Sequence, residues 1–149
     1  MRILPLLLFI AVPVHATDDS PLRAFDFLAG NCWQGTYANG SVDTHCYEWV
    51  YDGEHLRDVH VVRGKGPAYC GETLYSIDGA AEGVVFYYVN SLGGVSEGRM
   101  VVEDGVLLSP GETYVDKEGK VREFRSSLRP LDASRYEART EERVDGKWV

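Results

Sequence analysis

The chain has 149 residues, 15 Lys+Arg against 23 Asp+Glu, and a formal charge of −8. That length suits one domain with a buried core. The acidic balance weighs against a nucleic-acid partner, whose phosphates call for cationic surface, and most often serves solubility.

Residues 1–16 read as an export leader. One early base, Arg2, precedes an apolar run, and Val14-His15-Ala16 places small residues at −3 and −1. The run is shorter than the ~20 residues that span a bilayer, so cleavage after Ala16 is expected. The mature chain, Thr17–Val149, is expected to be one periplasmic or secreted domain without membrane insertion. Ser20-Pro21-Leu22 then opens a short helix by N-cap and first-turn chemistry, with Leu22, Phe25 and Leu28 on one side as a plug. Beyond it no helical period recurs.

Strand patterns follow at 31–38, 41–50, 54–63, 68–77, 83–90, 95–102, 106–115, 120–129 and 134–143, with Lys147-Trp148-Val149 as a possible closing strand. Between them stand turn signals such as Asn39-Gly40, Asp52-Gly53, Asp104-Gly105 and Asp145-Gly146. Short strands joined by hairpin chemistry predict an all-β antiparallel meander. Closure into a barrel of 8–10 strands is favoured over a sandwich, because closure removes exposed edges.

The first hairpins are regular enough to set registers. A three-residue loop at Ala38-Asn39-Gly40 places Trp33 opposite His45 and Cys32 opposite Cys46. A two-residue loop at Asp52-Gly53 pairs Trp49 with Leu56, Tyr47 with Asp58 and His45 with His60. A four-residue loop at Gly64–Pro67 pairs His60 with Gly71, Asp58 with Thr73 and Val62 with Tyr69. Opposed residues share a face, so one face carries Trp33, Tyr37, His45, Tyr47, Trp49, Asp58, His60, Tyr69 and Tyr75. The other is mostly polar and faces solvent.

An interior of rings with polar tips differs from an ordinary Val/Ile/Leu core, since every buried polar group needs a partner. It predicts a cavity for one small apolar or amphipathic ligand, lined by these nine residues. A filled structural or interaction barrel is the alternative. His45 and His60 with Asp58 also raise the option of an enzyme using acid–base or metal-assisted chemistry. A hydrogen-bonded His-Asp pair is the simpler expectation, and no metal is assigned. Cys32 and Cys46 are within cross-strand disulfide reach, which leaves Cys70 free. There is no Gly-x-Ser-x-Gly, phosphate loop or paired Cys-x-x-Cys motif.

Phe27-Leu28-Ala29-Gly30-Asn31-Cys32-Trp33-Gln34-Gly35, together with the meander, resembles the opening of small bacterial lipocalin-like (calycin) barrels of uncharacterised function. That resemblance implies a barrel whose end is closed by Trp33. The same stretch is similar to the Gly-x-Trp-x-Gly start of nitrobindin-like haem barrels, with one extra residue between Gly30 and Trp33. Their haem ligand is a histidine near the C-terminal end. No histidine follows His60 here, so the ligand does not carry over and no cofactor is expected. The reading that results is an exported small-molecule binding protein.

Overall fold

A computed structural model describes residues 20–80 and 83–149. The expected leader and its expected cleavage site lie outside the described residues. Alternating apolar and polar residues between tight turns make ten strands among the described residues: β1 (Cys32–Thr36), β2 (Val42–Val50), β3 (His55–Arg63), β4 (Tyr69–Asp78), β5 (Gly83–Asn90), β6 (Val95–Glu103), β7 (Val106–Val115), β8 (Val121–Asp132), β9 (Arg135–Val144) and β10 (Lys147–Trp148). They form one antiparallel sheet in simple chain order. The turn chemistry is local: Asp104-Gly105 and Asp145-Gly146 each hold two consecutive positive φ angles, as a two-residue primed hairpin turn requires. Turn 51–54 is four residues long rather than two, but it keeps the same centre and therefore the same register.

The registers of the first three hairpins are those that the turns predict. Cys32 opposes Cys46 and Trp33 opposes His45. Tyr47 opposes Asp58 and His45 opposes His60, while His60 opposes Gly71. Cys32 and Cys46 form a disulfide, and Cys70 is free and exposed.

Two expectations are corrected. The sheet curls strongly but stays open, a half-barrel rather than a closed barrel. The free edge of β9 is taken at its upper end by β10, through Lys147↔Val144 and Trp148↔Arg143, so β10 caps that edge instead of reaching β1. The five-residue β1 pairs only with β2. Where the curled edges approach, rings meet in place of a ladder: Trp33 sits edge-on to Tyr136, with centroids 5.1 Å apart.

The second correction concerns the N-terminal helix, which is a single 3-10 turn, Pro21–Phe25, with no side-chain cap from Ser20. Its apolar residues recur every three positions, and spacing of three aligns side chains in a 3-10 turn. Leu22, Phe25 and Leu28 are thereby buried against Tyr47, Leu56, Tyr75, Val84, Phe86, Met100 and Leu107. The core therefore sits at the end of the half-barrel nearest this turn. Among the described residues no helix is long and apolar enough to cross a membrane.

Candidate functional site

Above that core the concave face bounds a half-open cavity of about 1010 Å³. Tyr75 reaches the 3-10 turn, its ring 5.0 Å from Phe25. Tyr69, six residues earlier on β4, stands toward the opposite end. The floor is apolar, and the largest cluster of polar groups is carried on the wall by alternate residues of β2 to β5.

The wall centres on two stacked imidazoles, His45 and His60, with centroids 4.6 Å apart and planes 14° from parallel. His45 Nδ1 donates to Asp58 Oδ2 (2.8 Å) and Nε2 donates to Asp43 Oδ2 (3.2 Å). An ionised carboxylate only accepts, so both ring nitrogens must carry protons and the arrangement suits an imidazolium. Burial opposes that charge, but the Asp58 hydrogen bond and the charges of Asp58 and Asp43 outweigh it. The pKa of His45 is therefore raised above its ordinary 6.5. Burial likewise pushes Asp43 up, but the His45 charge and the bonds from His60 and Tyr37 hold it below its ordinary 3.8.

Asp43 also accepts from His60 Nδ1 through Oδ1 (3.1 Å) and from the Tyr37 hydroxyl through Oδ2 (3.0 Å). When His60 is neutral its bare Nε2 accepts from the Tyr88 hydroxyl (3.2 Å), and Tyr88 is in hydrogen-bond contact with Tyr69. A continuous line thus runs from Asp58 through His45, Asp43, His60 and Tyr88 to Tyr69. Burial, and then the bond to Asp43, push Tyr37 up to about 12. Burial also raises Tyr69 and Tyr88, so these phenols remain protonated donors near neutrality. Gly71 makes room for the line: a Cβ there would overlap His60 Nε2 and the Tyr88 ring.

One atom of this network has no partner. Asp58 is 3% exposed, and its Oδ1 makes no hydrogen bond. Around it, burial first, and the nearby carboxylate among smaller causes, push the Tyr47, Tyr75 and Tyr136 phenols up. Farther round the sheet, Ser96 donates to Glu112 (3.2 Å), whose carboxyl burial raises despite that bond. The Arg122 guanidinium lies over the rings of Tyr114 and Phe124, at 4.8 and 5.5 Å.

The ligating atoms of Asp43, His45 and His60 lie within 4.8 Å of one another. Asp43 therefore takes the place expected for Asp58 in a two-His, one-carboxylate set. A bound metal must lie in the plane of each ligating ring, and the planes of two stacked, near-parallel rings share no nearby point. The cluster as built is a hydrogen-bonding one.

Of the residues expected in the cavity, Trp33, Tyr37, His45, Tyr47, Asp58, His60, Tyr69 and Tyr75 line it. Trp49 shares their strand face but lies at the strand end, where the Arg23 guanidinium covers its ring at 5.3 Å. Asp43, Tyr88, Glu112 and Tyr136 also line the cavity and were not anticipated, and Arg122, for which a solvated face is the simpler sequence reading, lines it too. Asp43 was accessible to the period-two rule, standing two residues before His45. Compared with family models, curated proteins and solved structures, the chain matches none, so the architecture is compatible with a barrel fold without assigning a family.

Proposed function

We propose that the protein is an exported binding protein that holds one small apolar or amphipathic molecule in the half-barrel. The observation that carries this reading is the cavity itself. Its volume is at the upper end of the ~300–1,000 Å³ usual for small-molecule sites, and rings with a few convergent polar groups line it. A filled structural barrel would leave no such space. The Cys32–Cys46 disulfide supports an oxidising, extracytoplasmic setting. In this reading the fold is an opened relative of the lipocalin-like plan, with Trp33 at its seam.

Native mass spectrometry of protein recovered from its own envelope extract tests the reading, with a bound small molecule as the expected result. Titration with a fluorescent apolar probe is the second arm. His45→Phe and His60→Phe keep a ring but lose its nitrogens, so both should bind more weakly, and His45→Phe should also melt lower because it strips Asp58 of its hydrogen-bond partner. Wild-type protein that carries nothing and binds no apolar probe refutes the proposal. A second reading, acid–base chemistry on the bound molecule by His45, His60 and Asp58, is favoured by one feature. The line from Asp43 through His60 to Tyr88 and Tyr69 has the form of an oriented base with a proton path.

A further inference from the structure

We infer that the cavity selects a molecule carrying a neutral hydroxyl, an alcohol or a phenol on an apolar body, and that Asp58 Oδ1 accepts a hydrogen bond from it. The inference rests on the binding reading above and adds the chemical class of the ligand. Asp58 lines the cavity, is almost fully buried, and leaves one carboxylate oxygen without a partner. A buried acceptor of this kind is costly to leave unmet. A ligand that meets it gains the binding energy that an apolar analogue cannot.

The charges around Asp58 decide what kind of donor fits. Its other oxygen is bound by His45 Nδ1 at 2.8 Å, and His45 is itself held between two carboxylates. The one positive charge of His45 is therefore close to Asp58 but shared with Asp43. A second cation, such as an alkylammonium, would have to shed its hydration to reach this buried oxygen, at a steep cost, and would sit close to the His45 imidazolium. An anion would face Asp58 and Asp43 together. A neutral donor supplies the missing hydrogen bond and meets neither penalty. The Tyr47, Tyr75 and Phe86 rings below, in a floor that packs on the 3-10 turn, complete a site for an apolar body.

The test uses the disulfide-bonded protein and probes of one shape: 2-naphthol, 2-methoxynaphthalene and 2-naphthylmethylammonium. Affinities for wild type and Asp58→Leu are measured by fluorescence or calorimetry, with thermal melts as the folding check. Naphthol should bind wild type about tenfold or more tighter than its methyl ether, the usual gain from a hydrogen bond to a charged acceptor. It should also outbind the ammonium probe, and its advantage over the ether should vanish in Asp58→Leu. Equal affinities of naphthol and ether for wild type overturn the inference and leave the binding reading standing. Tighter binding of the ammonium probe overturns the choice of a neutral donor. A folded Asp58→Leu that keeps the naphthol preference overturns the role of Asp58. If no probe binds wild type, the binding reading falls, and this inference falls with it. The wild-type ratio decides the matter even if Asp58→Leu does not fold.

Discussion

Gly71→Ala puts the packing of the site to a direct test. Gly71 stands opposite His60 on β4, and its φ is not positive, so an added methyl strains no backbone. The effect is steric: the new Cβ would overlap His60 Nε2 and lie 2.5 Å from Tyr88 Cε2 and 2.6 Å from its hydroxyl. Neither neighbour retreats freely. His60 is bonded to Asp43 and stacked on His45, and Tyr88 is bonded to His60 and Tyr69. Overpacking of this kind costs about 1–3 kcal/mol, and a broken His60–Tyr88 bond adds about 1 kcal/mol. For a domain of this size that is a fall of roughly 10 °C in melting temperature. Gly66→Ala is the control, because a Cβ at Gly66 meets nothing within 4 Å and should change stability by less than about 0.5 kcal/mol. Both variants are compared by circular-dichroism melts. A Gly71→Ala protein as stable as the control would mean that His60 and Tyr88 do not rest on Gly71, and the hydrogen-bonded line would lose its geometry.

Trp33→Ala should cost about 3 kcal/mol, since it removes the ring packed on Tyr136 and the Nε1 bond to the Leu28 carbonyl (3.1 Å). Urea unfolding reads it, and an unchanged midpoint contradicts the seam described above. Replacing Cys32 and Cys46 together by Ser should cost about 3 kcal/mol by loop entropy. Non-reducing peptide mapping should show the pair linked and Cys70 unlinked. Stability should be greatest in mildly acid solution. His45 has a raised pKa, so its contribution is complete below pH 6.5 and is lost as pH climbs through the folded value. Asp43 has a lowered pKa, so its contribution is complete above pH 3.8 and is lost on acidification. Melting temperatures taken across pH should fall on both sides of that window, and a curve flat from about pH 5 to 9 would contradict the His45 assignment.

The first four strands were legible because their turns are local and their faces differ. Asn39-Gly40 and Asp52-Gly53 centre their hairpins, and one face of β2 and β3 is plainly richer in rings, so His45, His60 and Asp58 fall together by counting in twos. On β5 the count fails. Val85, Tyr87 and Val89 point outward while Val84, Phe86 and Tyr88 point inward, and both sets are apolar, so composition does not identify Tyr88 as a cavity residue. Farther on, bulges between Gly98 and Val101 and between Ser109 and Glu112 shift the register, and a shift of one inverts the faces. That is why Glu112 and Arg122 were not assigned from sequence. Openness was illegible for another reason. It depends on whether β1 pairs with the far end of the meander, a choice between strands distant in sequence that no local pattern encodes.

The seam between β1 and β9 has a mechanical consequence. In a closed barrel, parting two staves breaks a backbone ladder, so a guest enters and leaves only by the rim. Here the wall is spanned by Trp33 and Tyr136, a contact worth roughly 0.5–1.5 kcal/mol beyond the area it covers. The two lips are held differently: the disulfide staples the five-residue β1 to β2, whereas β9 is laddered along β8 and carries the two-residue β10. Sideways parting therefore breaks no backbone ladder between the two lips. Such a slot sets no upper limit on the length of a guest: a molecule longer than the half-barrel is deep can lie through it with one end in water.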